Sequence, residues 1–313
     1  MSFSRFLRIA IAVGLTAVII WKAHPASVAQ TLSHASASWL FAAGLLVLVD
    51  RSLMAWRWMD LLCALTPGSR PPFLTILRVF FVSTFIGTFL PSIGGDAYRA
   101  YSLSRYDVRL SESAASVVMD RVLGALSIAI LGGVAALLAP RVAVGPAIVV
   151  PLIVALIVCA GVAAAVFSDR AATIAQAFSM RLPGQAIRRA AAALTEAMRR
   201  YSRHHLELVR VLVASVAVQA IRVAQAYCLG RAIAIDLPIA TYFLLIPIVL
   251  LVMLLPITIN GLGTSQYAFD VLFGQAGVPA PQAVALSILF VALGIVGNLP
   301  GSILYAVEGP RAR

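Results

Sequence analysis

The sequence predicts an all-α polytopic membrane protein: an inverted-topology internal repeat with about six full crossings and two re-entrant hairpins. Three observations predict it. The chain is 61% hydrophobic and only 12% charged, with a mean hydropathy of +0.97, and soluble domains carry roughly twice that charge fraction. Apolar runs recur along all 313 residues. The two halves of the chain also match each other at fixed spacing, and their basic residues fall between the runs.

A hydrocarbon core takes about 20 apolar residues per helical crossing. Runs at 6–22, 39–62, 73–91, 113–138, 144–168, 206–231, 239–258 and 281–305 approach or meet that length. The first carries Arg5 and Arg8 at its start and precedes Ser27-Val28-Ala29, which has the form of a signal-peptidase site. It is read either as a cleaved signal or, because the run extends through Trp21, as an uncleaved helix with an outer loop to residue 38. The remaining divisions are repeat one at 39–138, a connecting helix and basic cytoplasmic segment at 139–205, repeat two at 206–305 and a cytoplasmic tail at 306–313.

The repeat is carried by polar and turn residues, which match by chance less often than apolar ones. Arg57 and Arg222, Cys63 and Cys228, Leu90 and Leu255, and Pro91 and Pro256 are each 165 positions apart. The tetrapeptide ALSI occurs at 125–128 and again at 285–288. Each half contains a long helix with an arginine, then an apolar segment ending in Leu-Pro and glycines, then a long helix carrying ALSI. Proline lacks an N–H and glycine loosens the backbone, so both Leu-Pro-Gly regions break a helix. Broken backbone at membrane depth survives only inside protein or beside a wet cavity. Interruptions at matching places in two halves mark the transport site of a repeat-built carrier.

Net charge is +12, and Lys22 is the only lysine. In an apolar chain this balance reads as positive-inside loops facing anionic lipid rather than as a nucleic-acid surface. If all eight runs crossed, Arg99, Arg105 and Arg109 would face outside, as would the seven arginines of 169–205. If 73–106 and 239–275 instead dip in and return, these arginines and the tail with Arg311 and Arg313 lie inside. The outer loops then keep only Lys22 and Arg141, and the two halves acquire opposite orientation. Both termini are expected in the cytoplasm of an inner-membrane protein. The Ala- and Arg-rich stretch 184–205 is expected to lie on anionic lipid as a cytoplasmic helix.

Several polar residues sit inside these runs. A charge at the bilayer centre costs about 2.5–3.5 kcal/mol or more, so such residues pair or serve function. Asp96 and Arg99 follow the first hairpin; the bland reading is that they reach the interface. Asp120-Arg121 lies well inside its run, either as a structural ion pair or as a headgroup contact. Arg222 shares one helix face with Gln219 and Gln225, and that face is expected to look into a cavity. Arg57 is its repeat partner but has Asp60 close by and reads as interfacial. Asp50-Arg51 is a further buried candidate pair. The hairpin tips supply Pro91, Gly94 and Gly95, and Pro256, Asn260, Gly261 and Gly263.

The stretches PSIGGDAYRAY (91–101), VVMDRVLG (117–124) and LPITINGLGTSQYA (255–268) together resemble the lysylphosphatidylglycerol synthase transmembrane family, also called the flippase-like domain. The likeness runs through nearly the whole chain in order. It implies a domain that moves a polar lipid between leaflets, here without the soluble synthase domain that follows it in the best-known members. The resemblance favours headgroup contact for Asp120 and Arg121.

Arginine suits phosphate because its planar guanidinium binds two oxygens at once. Arg99, Arg121 and Arg222 are therefore expected to guide a phosphate-bearing, anionic headgroup. No G-x-x-x-x-G-K-[ST] loop is present, so movement is expected to be passive or ion-coupled. No cofactor or metal is expected: the histidines lack metal spacing and the three cysteines show no C-x-x-C. The alternatives are an intramembrane lipid-modifying transferase, for which no Asp-x-Asp or nucleophile motif is found, and an assembly factor without transport activity.

Overall fold

The computed structural model describes residues 25–66, 68, 71–89, 92–106, 108–138, 185–254 and 263–308, with isolated positions between 150 and 177. The expected helices at 6–22 and 144–168 fall wholly or mainly outside the described residues. Among those described, regular structure is entirely helical. Residues 25–33, expected in a loop, form a short helix α1 (Pro25–Ser33) opened by its proline.

Helix α2 (Ala37–Leu65) runs for 29 residues and stops at Thr66. Pro67 follows, and a residue preceding proline is pushed out of helical geometry; Thr66 has φ −127° and ψ 64°. Helix α3 (Phe73–Phe89) ends just before Leu90-Pro91, and α4 (Ser92–Ser102) follows at once. The two fold back on each other, because Ser83 on α3 meets both Gly95 and Arg99 on α4. A side chain at Gly95 would put Cβ 2.5 Å from the Ser83 carbonyl oxygen. The hairpin therefore closes only around a glycine there.

Helix α5 (Leu110–Leu138) spans 29 residues. After the connecting region come α6 (Gln185–Arg200) and α7 (His205–Ala232). A second pair, α8 (Ile239–Leu254) and α9 (Thr264–Gln275), flanks the second Leu-Pro stretch. Tyr242 near the start of α8 packs edge-on against Phe273 near the end of α9, 5.4 Å between ring centres. This pair also doubles back. Helices α10 (Ala280–Asn298) and α11 (Pro300–Glu308) close the fold against α3, where Asn298 Nδ2 donates to Thr88 Oγ1 at 3.0 Å.

Among the described residues three helical stretches are long and apolar enough to cross a membrane: Ala37–Leu65, Leu110–Leu138 and Ala280–Ala306. Helix α7 has the length, with 28 residues, but carries Gln219, Arg222 and Gln225 on its inner face. At 1.5 Å per residue α3 and α8 reach only about 25 Å, short of a core of roughly 30 Å.

Helices α2 and α7, which hold the repeat-matched arginines, pack antiparallel along their length. Asp60 meets Arg210, Arg57 meets Ser215 and Asp50 meets Arg222, so one chain number rises as the other falls. Trp58, Leu62, Phe80 and Leu103 fill the core between α2, the hairpin α3–α4 and α5. Tyr242, Phe269 and Phe273 centre the larger core of the second half. Helix α6 was expected on lipid. Its Ala197, with Leu194 and Met198, instead packs on Leu61, Ala115 and Met119 of α2 and α5, and Arg188 and Arg189 on its opposite face are exposed.

Candidate functional site: two buried arginine–carboxylate clusters

The first cluster gathers Arg57 from α2, Arg99 from α4 and Asp120 from α5, which are 3%, 4% and 4% exposed. Arg57 Nε and Nη2 reach the same oxygen, Asp120 Oδ1, at 2.8 and 2.6 Å, and its Nη1 donates to Ser215 Oγ at 2.9 Å. Arg99 is held more loosely. Its Nη1 lies 3.4 Å from Asp120 Oδ2 and its Nε 3.4 Å from Ser83 Oγ. The guanidinium also sits over two rings, with its carbon 4.9 Å from the Trp58 centroid and 4.8 Å from that of Phe80. Trp58 is fixed in turn by donating Nε1–H to Ser116 Oγ at 3.1 Å. Two guanidinia share one carboxylate, so the cluster carries one surplus positive charge.

Beside it Arg121 grips Asp96 through two parallel bonds of 3.0 and 2.9 Å. This pair ties α4 to α5 and is partly exposed. Asp120 and Arg121, adjacent in sequence, therefore do not pair with each other. Each reaches across to the hairpin, which is how α5 holds α4 in place.

The second cluster lies between α2, α7 and α10. Asp50, 2% exposed, accepts from Arg222 Nε at 3.1 Å on Oδ1 and from Arg51 Nη1 at 3.0 Å on Oδ2. Arg51 Nη2 also donates to the Gly294 carbonyl at 3.3 Å. Met54 Sδ lies 3.0 Å from Arg222 Nη2 and 3.8 Å from Arg51 Nη1. Between the clusters stands Gln219, which donates to Ser127 Oγ at 3.1 Å and lies 3.5 Å from Arg222 Nη1.

A third set clamps the ends of α2, α5, α6 and α7. Glu112 accepts from Arg109 at 2.6 Å and from Arg200 at 2.7 Å, and Arg210 takes both oxygens of Asp60. Tyr201 Oη donates to the Leu61 carbonyl at 2.9 Å. Burial pushes the Tyr201 phenol well above its ordinary range, which keeps it a neutral donor.

The sequence-selected residues thus fall into separate places. Gly95, Asp96, Arg99, Asp120 and Arg121 come together at the α3–α4–α5 junction, with Gly94 on the same α4. Arg222 belongs to the other cluster. Its face turns inward as expected, but it meets Asp50, Met54 and Gln219 rather than an open cavity. Gly263 caps α9 with φ 85°, a conformation that favours glycine, and its N–H donates to Gln266 Oε1. Pro91, Pro256, Asn260 and Gly261 lie outside the described residues.

Arg57 corrects the sequence reading most sharply. Its neighbour Asp60 turns away to Arg210, leaving Arg57 to pair with Asp120 in the interior rather than at an interface. Ser83, Ser215, Trp58 and Phe80 were also missed; for Arg57 the signal was its match with Arg222 in the repeat, whereas Arg99 and Asp120 stood out as charges within their own runs. The apolar pocket between Leu131, Leu138 and Phe243 is lined by none of these polar residues. Among the described residues no three His, Cys, Asp or Glu converge as metal ligands.

No curated protein matches the chain at a significant level. The family model described as "Lysylphosphatidylglycerol synthase TM region" matches residues 5–301, which include the hairpin α3–α4, both clusters and the second half through α10. This chain belongs to the lysylphosphatidylglycerol synthase transmembrane family.

Proposed function

We propose that the protein is a flippase-like carrier, which moves a phosphate-bearing polar lipid between leaflets of the inner membrane without altering it chemically. The observation that carries the reading is the Arg57–Asp120–Arg99 cluster: buried, singly positive and built partly from a helical hairpin. An uncompensated interior charge is costly unless an opposite charge joins it. A headgroup phosphate supplies that charge, and the guanidinium of Arg99, held at 3.4 Å on both its polar contacts, has donor capacity to offer it.

Helix lengths and contacts support re-entrant hairpins and an inverted repeat. α3–α4 and α8–α9 are short, apolar on entry and doubled back. Arg57 meets Ser215, and a shift of 165 positions turns that contact into Arg222 meeting Asp50, which also exists. A contact between two antiparallel helices that maps onto its own exchanged partner is what an in-plane two-fold relation produces. Positive-inside charge then sets both termini in the cytoplasm. An inside-negative potential drives a net anionic headgroup outward by about 2.3 kcal/mol per charge per 100 mV.

The test is leaflet translocation of labelled lipids by purified protein in liposomes. The carrier moves anionic phospholipid and returns it chemically unchanged. A new lipid product would identify a transferase, and no movement at all would leave an assembly role.

A further inference from the structure

We infer that Arg51 and Arg222 form a second anion site, separate from Arg99 and Asp120, which takes a singly charged phosphate ester in the place now filled by the Met54 thioether. The argument begins with charge. Asp50 neutralises one of the two guanidinia, so the cluster holds one net positive charge. Asp50 and Arg51 lie near the middle of the 29-residue α2, far from either end, so snorkelling to a headgroup region is not open to Arg51.

Donor accounting points the same way. Each guanidinium has five N–H donors and no acceptor. Against these the cluster offers the two oxygens of Asp50, the Gly294 carbonyl at 3.3 Å and Gln219 Oε1 at 3.5 Å. Arg51 Nε is buried without any partner. The atom facing both arginines is Met54 Sδ, a weak acceptor on a flexible side chain. A phosphate oxygen at that position would replace the poorest contact with a charge-assisted one and would cancel the surplus charge. The site is not sealed: the Arg51 and Arg222 side chains remain 13% and 21% exposed.

The ligand chemistry fits both a lipid headgroup and a free phosphate. The experiment separates them by labelling a cysteine at the Met54 position. Met54→Cys is made with Cys63, Cys159 and Cys228 replaced. It is reacted with a negatively charged sulfonatoethyl and a positively charged trimethylammonioethyl methanethiosulfonate, each rate referred to that of free cysteine. The expected preference for the anionic reagent is about tenfold or more, the size of local counter-ion enrichment in a charged cleft. Adding Arg51→Gln removes the preference while the protein still folds, because Asp50 keeps Arg222. Arg222→Gln is the reciprocal variant and leaves Asp50 with Arg51.

Protection by dihexanoyl phosphatidylglycerol alone assigns the site to a lipid; protection by inorganic phosphate as well assigns it to phosphate generally. The inference is overturned if neither reagent reacts, if the preference is missing or survives Arg51→Gln, or if neither anion protects. It is equally overturned if both arginine variants fail to fold, which would make the pair structural. The readout is binding, so lost lipid movement with intact selectivity would refute only the carrier reading.

Discussion

Asp120 and Arg99 touch each other, yet their removal has unequal consequences. Replacing Asp120 with Asn leaves two buried guanidinia without a counter-charge, and breaking a buried pair in this way costs about 3–5 kcal/mol. Replacing Arg99 with Gln leaves Arg57 and Asp120 as a neutral pair bonded at 2.6 and 2.8 Å. What disappears are two contacts at 3.4 Å, at the weak end of hydrogen bonding, and two ring contacts, each worth about 0.5–1 kcal/mol at an exposed site and about 2 kcal/mol when desolvated. Against that loss stands relief from burying a surplus charge. The net change for Arg99→Gln is therefore expected within about 1–2 kcal/mol, against several for Asp120→Asn. Melting of the two variants in detergent, beside wild type, measures the difference. Translocation of anionic lipid by Arg99→Gln in liposomes then reports function without a folding defect. Equal destabilisation by both variants would refute the charge accounting. A stable Arg99→Gln protein with full anionic translocation would refute the role given to Arg99.

Arg222→Gln should also fold nearly normally, because Asp50 retains Arg51 at 3.0 Å; anionic lipid transport should fall and neutral lipid transport fall least, in the same liposome assay. Gly95→Ala should prevent hairpin closure, since its Cβ would stand 2.5 Å from the Ser83 carbonyl; loss of folded protein in size-exclusion chromatography checks this, and a wild-type profile would contradict it. Single cysteines at Ser104 and Ser179 should resist membrane-impermeant reagent from outside while one at Ala280 reacts; outside labelling at either of the first two would defeat the re-entrant topology.

The membrane class was legible because hydrocarbon filters composition, and twelve per cent charge over 313 residues leaves few other solutions. The first hairpin was legible at Leu90-Pro91 because proline and glycine act locally, whatever surrounds them. The inward turn of Arg222 was legible from Gln219 and Gln225, since three polar residues on one face cannot all meet lipid. The pairings were not legible. Arg57 finds Asp120 63 positions away, and Arg222 finds Asp50 172 positions away. Such partners are chosen by packing, which sequence spacing does not encode. Arg57 was misread for that reason: Asp60, close by on its own helix, suggested a local pair, whereas the carboxylate goes to Arg210, 150 positions distant. The amphipathic pattern of α6 was real, but such a pattern does not say whether lipid or protein covers the apolar face, and here Ala197 and Tyr201 meet protein.

The two clusters are matched in charge but differ in what carries them. Ser215 stands 165 positions after Asp50, so Arg57 meets a hydroxyl where Arg222 meets a carboxylate. The first half must therefore recruit its carboxylate from α5, and its second arginine comes from the hairpin helix α4. In the second cluster both Asp50 and Arg51 come from the long helix α2 of the first half. Moving α4 would break the two 3.4 Å contacts of Arg99, its ring contacts with Trp58 and Phe80, and the two Asp96–Arg121 bonds of 3.0 and 2.9 Å, leaving the 2.6 Å Arg57–Asp120 bond intact. Moving α2 against α7 would break Asp60–Arg210, Arg57–Ser215 and Asp50–Arg222 together. Within the first cluster Arg99, with both polar contacts at 3.4 Å, is accordingly the arginine least committed by hydrogen bonds to the fold.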